Sequence, residues 1–460
     1  MRKTVFEESV LFVSIIKWLF LATCVGVIVG LSTSIFLLIL ERSSIFTAGF
    51  RYYFLLLPFA LFASALIIKY LAPDAKGHGT EKVIEAVHRH SGKIKPLVVP
   101  VKLLATVITI ALGGSAGKEG PCAQIGAGLS SIFAGFLKFD NKDRKKLVIC
   151  GISAGFAAVF GTPIAGAMFG VEVLVVGSLL YDVLLPSFVA GIVSYQVSSA
   201  LGVTYFHEPL SFVPIFSGLV FIKVCISGLF FGVCSLILIQ VLHHTERMSE
   251  KIKMWGPYKG LLGGSILVVL AFIFSNKYLG LGLETIKDSL EGGPVSPAAF
   301  LLKIVFTSLT LGFGGSGGIV TPIFFVGATA GSLFGDIVGS DPAVFAAIGL
   351  VSVLAGAANT PISASIMAVE LFGPSVGPYA AIACIISFLM TGHRSVYPSQ
   401  MIATAKSSSI IVSKEKELGD FPEVSIKPRA RTVTGGIIKG INRAKRGLKK
   451  DKRPKDEDKD

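Results

Sequence analysis

The chain has 460 residues, of which 52% are hydrophobic and only 16% are charged, and its mean hydropathy is +0.72. Soluble domains usually carry about 25% charged residues, so this composition excludes an ordinary soluble globular protein. The net charge is +14. The 6 cysteines lie in or beside apolar segments without CxxC spacing, a pattern typical of buried packing residues and not of disulfides or metal sites.

Long uncharged runs recur along the chain and predict an all-α integral membrane protein. Spanning a bilayer takes about 20 apolar residues, so some runs fit one crossing, whereas others hold several helices broken at Gly or Pro. We expect about 10 or more embedded helices, several of them tilted or only partly spanning. The runs cover 18–40, 52–68, 120–137, 147–171, 183–206, 224–242, 304–335 and 342–369.

Two sequence motifs occur twice, in the same order. GGSAGKEGP at 113–121 returns as GGSGGIVTP at 314–322, and TPIAGAMFGVE at 162–172 returns as TPISASIMAVE at 360–370. Two matches at nearly the same offset indicate an internal duplication. We therefore predict two repeats, of about residues 97–200 and 297–395.

Each repeated motif also predicts a helix start. Proline is favoured in the first turn of a helix, so Pro121, Pro163, Pro322 and Pro361 mark four helix N-termini within apolar sequence. Helix N-termini present unpaired N–H groups and attract anions, and broken helices that meet between two repeats are typical of transporters. The pattern predicts an anion pathway, and the alternative is that the breaks are packing kinks.

The last part of the chain is polar and basic. Residues 427–455 contain twelve Lys or Arg against one acid, Asp451. A nucleic-acid-binding arm is one interpretation, but behind a membrane domain a cytoplasmic tail near anionic lipid is favoured. We predict a transmembrane domain over 1–410 and a disordered tail over 411–460, which is too short for paired regulatory CBS domains.

The motifs resemble those of the CLC family of chloride channels and chloride/proton exchangers. GKEGP at 117–121 matches the family's G(K/R)EGP signature, and GGIVTP at 317–322 is similar to its GxFxP segment. GHGT at 77–80 stands where the family has GSGIP, and Tyr397 falls at its central tyrosine. The resemblance covers most of 15–405. It implies a homodimer with one pore per subunit, two antiparallel repeats and cytoplasmic chain ends.

The resemblance also implies roles for individual residues. Glu119 takes the position of the gating glutamate, a tethered carboxylate that competes with the anion, and an ionisable residue within a membrane is a functional hypothesis by default. Tyr397 would donate its hydroxyl to the anion, unless it is an interfacial anchor. The backbone amides implied as anion ligands are those of Gly117, Lys118, Gly120, Ile319 and Val320.

Three departures from the family pattern bear on mechanism. Val173 occupies the position of the internal proton-accepting glutamate, which favours passive conduction because valine cannot relay a proton. Its neighbour Glu172 and the repeat-mate Glu370 are interpreted as structural acids at helix ends. His78 replaces the anion-contacting serine, and we hypothesise that it contacts the anion and makes conduction pH-sensitive. Val320 and Thr321 stand where Phe and Ala are commoner, as in the fluoride/proton exchanger branch.

Other functional classes have less support. A phosphate-binding loop needs four residues between its first Gly and the Gly-Lys pair, followed by Ser or Thr. Gly113 and Gly117 bracket three residues, and Glu119 replaces the hydroxyl residue. No enzymatic motif is readable, and we expect neither a cofactor nor a metal. A membrane scaffold is a third hypothesis, but a scaffold has no need of repeated helix breaks.

The sequence therefore predicts a transporter of chloride or a related small anion, channel-like and gated by Glu119. The alternative is an anion/proton exchanger for chloride or fluoride. The expected partners are the anion, protons in the exchanger case, membrane lipid and a second copy of the chain, with no nucleic acid. We expect a multi-pass protein of the cell membrane with both termini in the cytoplasm.

Overall fold

The computed structural model describes residues 2–205, 210, 217–412, 417–419, 425, 426 and 436. These residues form sixteen α-helices. In chain order the helices are α1 Arg2–Ala48, α2 Leu57–Leu71, α3 Thr80–Arg89, α4 Val98–Ala111, α5 Glu119–Phe136, α6 Asn141–Phe160, α7 Pro163–Glu172, α8 Leu184–Ala200, α9 Gly218–Lys251, α10 Gly256–Ile273, α11 Leu283–Leu290, α12 Ala299–Gly312, α13 Val320–Ile337, α14 Pro342–Ala358, α15 Pro361–Phe372 and α16 Gly377–Thr391.

The prediction that long apolar runs hold several helices is confirmed. The run 147–171 is divided between α6 and α7, where Gly161 adopts a left-handed conformation and Pro163 begins the next helix. The run 342–369 is divided in the same way, with Asn359 left-handed before Pro361. A left-handed residue ends a helix and a proline starts one, so the break is written in the local sequence.

Two of the four predicted helix starts fall slightly earlier than the proline. Helices α7 and α15 begin at the proline itself, whereas α5 begins at Glu119 and α13 begins at Val320. The residues before α5 and α13 are Lys118 and Ile319, and neither makes a side-chain capping hydrogen bond. The first amides of these two helices are therefore not occupied by a capping side chain of the preceding residue.

Helix lengths agree with a membrane protein whose helices do not all cross the bilayer. Among the described residues, 7 helices are long and apolar enough to span. Helices α4, α12, α14 and α15 are apolar but shorter. Helices α3 and α11 are short and amphipathic. In their respective halves, α3 comes just before α4 and α5, and α11 comes just before α12 and α13.

Hydrogen bonds between the two halves are reciprocal, as expected for antiparallel repeats. Hydroxyl oxygens on one half meet hydroxyl or amide groups on the other at 3.0–3.1 Å. The partners are Ser115 with Thr307 and Thr310, and Ser316 with Thr106 and Thr109. Each contact is repeated after an exchange of the two halves, so the structure has an internal two-fold relation at its centre.

An acid near the end of α7 caps the N-terminus of α15, and an acid near the end of α15 caps the N-terminus of α7. The carboxylate of Glu172 accepts hydrogen bonds from the N–H groups of Ile362 at 3.0 Å and Ser363 at 2.8 Å, in the first turn of α15. The Glu370 carboxylate accepts from Ile164 at 3.0 Å and the next amide at 2.8 Å, in the first turn of α7. These contacts support the interpretation of both acids as structural.

Short strands complete the described structure. Strand β1 Val175–Val176 pairs in parallel with β2 Met401–Ile402, and β3 Ile410–Ile411 pairs antiparallel with β4 Ser425–Ile426. The β1–β2 pair holds the segment after α16 against the end of α7. Apart from the few residues given above, the predicted tail over 411–460 lies outside the described residues. No CBS domain is present in the part of the chain that the structure describes.

Candidate anion-binding site

The candidate site lies where the N-termini of α5 and α13 meet. The Gly117 N–H donates to the Gly318 carbonyl at 2.7 Å, and the Gly318 N–H donates to the Gly117 carbonyl at 2.5 Å. This antiparallel bridge places two helix N-termini side by side at the centre of the molecule. First-turn amides lack intrahelical acceptors and form the positive end of the helix dipole. Two such ends attract negative charge.

The negative charge at this point is the carboxylate of Glu119. Its side chain is fully buried. The Thr321 N–H donates to Glu119 Oε2 at 3.1 Å, and the Thr321 hydroxyl donates to Glu119 Oε1. The carboxylate of the first helix thus binds the N-terminus of its repeat-mate, in the manner of a bound anion.

Glycines allow this close approach. A Cβ on Gly120 would lie 1.9 Å from the His78 carbonyl oxygen, and one on Gly117 would lie 2.2 Å from Glu119 Oε2. The contact at Gly120 is with backbone and excludes a side chain, whereas a side chain at Gly117 would displace the Glu119 carboxylate. The loop that carries His78 therefore contacts the backbone of α5 directly.

His78 and Tyr397 lie together beside this helix junction. Their ring centroids are 5.6 Å apart, and both side chains are buried. His78 Nδ1 and the Tyr397 hydroxyl have no hydrogen-bond partner within the described residues. Thr80 lies beside the Tyr397 hydroxyl without meeting hydrogen-bond geometry. Unpartnered buried polar groups are unusual, and a small anion would accept hydrogen bonds from both.

The loop before His78 is held by a buried lysine. Lys102 Nζ donates to the carbonyls of Ala75 at 3.2 Å and Gly77 at 2.6 Å. The repeat-mate Lys303 makes the same two contacts in the other half, with Tyr278 at 3.1 Å and the Gly280 carbonyl at 2.9 Å. Sequence reasoning did not identify either lysine, although their spacing of 201 equals that of the glycine motifs.

The charge state of His78 differs from the sequence hypothesis. Burial, followed by the positive charge of Lys102, lowers the pKa of His78 to about 3. A group with so low a pKa is neutral across the physiological range. The imidazole is therefore expected to be neutral and to offer a single N–H, which argues against the hypothesis that His78 makes conduction pH-sensitive.

The five backbone amides suggested as anion ligands all lie at the helix junction. Lys118 and Gly120 flank Glu119 at the start of α5, and Ile319 and Val320 stand at the start of α13. The Gly117 amide differs, because it donates to Gly318 in the bridge. The role of each as an anion ligand stays a prediction.

A cavity of about 600 Å³ leads to the buried carboxylate. Lys118, Glu119 and Thr321 are among its lining residues, and Phe160 and Phe324 are among its apolar side chains. The acids Glu41 and Glu284 also line it. Glu119 thus lines this cavity, whereas His78 and Tyr397 do not.

A second cavity of about 660 Å³ lies along α3. Its lining is rich in charge and includes Lys82, Glu85, Arg89 and Lys93. Arg89 pairs with Glu417 of the C-terminal segment. This charged cavity, which we call the α3 cavity, lies beside the helix that follows His78.

Val173 is buried at the end of α7. Its carbonyl accepts a hydrogen bond from Gln400 Nε2 at 2.7 Å, and the same nitrogen donates to Ala358 at 2.8 Å. Gln400 also accepts a hydrogen bond from Asn359 at 3.0 Å. This network holds the segment that carries Tyr397.

Comparison with known proteins identifies the architecture. The sequence model of the family described as "Voltage gated chloride channel" matches residues 59–392. The chain belongs to the voltage-gated chloride channel (CLC) family. The match includes His78, Glu119, Val173 and Val320, whereas Tyr397 lies just beyond its end.

Several CLC relatives cover nearly the whole chain. A chloride/fluoride channel protein of Pseudomonas syringae pv. tomato is 37% identical over 408 residues, which is 87% of this chain and 90% of the relative. A solved CLC-type fluoride/proton antiporter is 28% identical with a TM-score of 0.80, covering 84% of this chain and 98% of that one. A slow cyanobacterial Cl⁻/H⁺ antiporter, 20% identical, shares the fold with a TM-score of 0.71, covering 81% of this chain and 94% of that one.

Membership of the CLC family, together with the apolar helices, establishes a multi-pass integral membrane protein of a family of chloride and fluoride transporters. The site described above is built from the motifs that carried the resemblance, GKEGP and GGIVTP.

Proposed function

We propose that this protein transports chloride, or a related small anion, through a pore that the Glu119 carboxylate opens and closes. One observation carries the proposal: the carboxylate accepts a hydrogen bond from Thr321 N–H at the N-terminus of α13. A free anion favours the same kind of position. Protonation of Glu119, or displacement by an anion, releases the carboxylate and opens the route between the two cavities.

The anion then contacts groups on both halves. His78 contributes one imidazole N–H and Tyr397 its hydroxyl, and both are buried without a partner in the described structure. The amides of Lys118, Gly120, Ile319 and Val320 complete the proposed ligand set, with Gly117 once its bridge opens. The mixed set of neutral donors binds an anion without placing a fixed positive charge on it.

Passive conduction is the form that Val173 favours. A proton path needs titratable groups and a buried valine has no proton to exchange, although some exchangers of the family also lack an acid at this position. We propose the family's homodimer, in the cell membrane with both termini cytoplasmic. The basic tail then lies on the side where anionic lipid attracts Lys and Arg.

Proton-coupled exchange of chloride or fluoride is the second candidate. It is supported by the relatives: one similar structure is a fluoride/proton antiporter, and the Pseudomonas relative is called a chloride/fluoride channel protein. The hydrogen bond from the Thr321 hydroxyl to Glu119 also supports it, because Val320-Thr321 is the pattern that resembles the fluoride branch. A hydroxyl there holds the gate at the helix N-terminus.

A reversal-potential measurement distinguishes the candidates. The protein is reconstituted in liposomes with opposing chloride and proton gradients, and the experiment is repeated with fluoride. A reversal potential equal to the Nernst value of the anion supports the channel. A shift with the proton gradient at fixed anion concentrations supports the exchanger. Absence of flux with chloride, fluoride and nitrate would contradict both.

A further inference from the structure

A partly buried acid lies close to the His78–Tyr397 pair, on the helix that follows His78. Glu81 is in the first turn of α3, three residues after His78. Its Oε1 accepts hydrogen bonds from the N–H of Ser399 at 3.0 Å and from the Ser399 hydroxyl at 2.5 Å. Its Oε2 is buried and has no hydrogen-bond partner within the described residues.

Glu81 is connected with the proposed anion site through both His78 and Tyr397. Ser399 is two residues after Tyr397, and Glu81 shares the turn that follows His78. The charges of Glu81 and Glu119 both act on the Tyr397 hydroxyl. The Glu81 neighbours Lys82 and Glu85 line the α3 cavity, which makes this cavity the candidate source of a proton.

An ionised Glu81 and a bound anion oppose each other. Electrostatic repulsion between like charges in a buried site is strong, because the protein screens it less than water does. A proton on Oε2 neutralises Glu81 and so removes the repulsion. It also turns Oε2 from an unpartnered acceptor into a hydrogen-bond donor. Binding one proton with one monovalent anion leaves the net charge of the site unchanged.

We propose that Glu81 is a second titratable residue of the transport site, which takes up a proton from the α3 cavity when an anion binds beside His78 and Tyr397. The proton moves from water in the α3 cavity to Oε2 and returns there, or passes on toward Glu119, when the anion leaves. The inference rests on the proposed function. It gives a channel that acid activates from the α3 side, or an exchanger whose inner proton acceptor is not at Val173.

The groups around Glu81 allow this titration. Burial raises its pKa to about 7, against the effect of the two Ser399 hydrogen bonds. On its own helix Lys82 lowers the pKa and Glu85 raises it. Arg89 interacts with the same acid and is held by Glu417. Tyr397, across from α3, stays neutral and contributes only its hydroxyl dipole.

The test measures proton uptake on anion binding, in the full-length protein in detergent. The Glu119→Gln variant is used as the background, so that the gate does not titrate. Calorimetry with potassium chloride and potassium fluoride, in buffers of different ionisation enthalpy, counts the protons bound. We expect the uptake to rise from about half a proton per anion near pH 7 to nearly one near pH 9, where the affinity falls about tenfold per pH unit.

Glu81→Gln in this background keeps an oxygen for Ser399 but cannot accept a proton. We expect no proton uptake and a pH-independent affinity. Glu81→Asp, which retains the acid, should keep the uptake. Glu85→Gln is the matched control on the next turn, where the acid pairs with Lys82; it should keep the uptake but shift it to lower pH, because Glu85 raises the pKa of Glu81.

Two results would overturn the inference. Proton uptake that persists in Glu119→Gln/Glu81→Gln would assign it to another residue. Uptake absent before Glu81 is changed, with the anion still bound, would show that Glu81 only positions Tyr397. A protein that binds no anion at any pH would instead contradict the proposed function, so the two failures are distinguishable.

Discussion

The carboxylate of Glu119, in the first turn of α5, is hydrogen-bonded to the backbone N–H and the hydroxyl of Thr321, in the first turn of α13. The two residues are 202 apart in sequence and belong to different repeats. The contact ties the gate proposed for one half to the helix dipole of the other. It explains why only one repeat needs the acid: the second repeat supplies the amide that the acid occupies.

Glu119→Gln is expected to free the pore from pH control by the gate. Glutamine keeps the shape but removes the charge that competes with the anion, and it binds the helix N-terminus more weakly. Flux at neutral pH should rise to the value that the unmodified protein reaches in acid. Anion efflux from liposomes across a pH series measures this. Glu41→Gln, at a cavity-lining acid away from Thr321, is the control, and an unchanged Glu119→Gln profile would contradict the gate.

His78→Ser is expected to alter the anion preference without altering the pH profile. With its pKa lowered to about 3, His78 is already neutral above about pH 5, so its removal takes away a donor and no titrating charge. Relative fluxes of chloride, fluoride and nitrate measure the preference, and flux between about pH 5 and pH 8 gives the profile. Loss of a titration step in this range would restore the original hypothesis of a charge-switching histidine.

Gly120→Ala is expected to abolish transport or assembly of the site. The added methyl would lie 1.9 Å from the His78 carbonyl oxygen, so either the His78 loop or the start of α5 must move. Gly135→Ala is the matched control in the same helix, because nothing lies within 4 Å of the added atom. That change should keep flux and add up to about 1 kcal/mol of helix stability. Thermal unfolding in detergent and liposome flux are the measurements.

Lys102→Met is expected to weaken anion binding by about tenfold, because it removes the two hydrogen bonds that position the His78 loop. Lys303→Met removes the equivalent contacts in the other half, away from His78. It should destabilise the protein to a similar extent and weaken anion binding less. Calorimetric affinity compared with thermal stability separates the two effects. Equal losses of affinity would mean that Lys102 acts only through overall stability.

Glu172→Gln is expected to lower the stability by about 1 to 2 kcal/mol, because it weakens the cap on the first turn of α15. Glu370→Gln should have a similar effect through α7. Neither should change the dependence of anion flux on a pH gradient, since both acids are structural. Loss of proton coupling in Glu172→Gln, with stability intact, would instead place this acid in transport.

Much of the architecture could be predicted from the sequence alone. The apolar runs predicted a membrane protein, because only 16% of the residues are charged. Soluble proteins usually have about 25%, and so few charged side chains would not cover a soluble core of this size. The Gly-Pro and Thr-Pro steps located the helix breaks to within two residues, because proline and glycine act through the local backbone. Repetition of GGS and TPI indicated the two halves, and the pentapeptide GKEGP singled out Glu119 as the candidate gate.

Only the tertiary structure determined the contacts between residues far apart in the chain. No local pattern shows that Glu119 binds Thr321, that Glu172 and Glu370 exchange caps, or that Lys102 holds the His78 loop. Burial determines the charge state of His78, and burial depends on packing. From the sequence alone, Glu81 looked like an ordinary acid in the first turn of a helix. Ser399, 318 residues away, makes it a partly buried one, because folding brings the segment after Tyr397 against α3 and removes Oε2 from water.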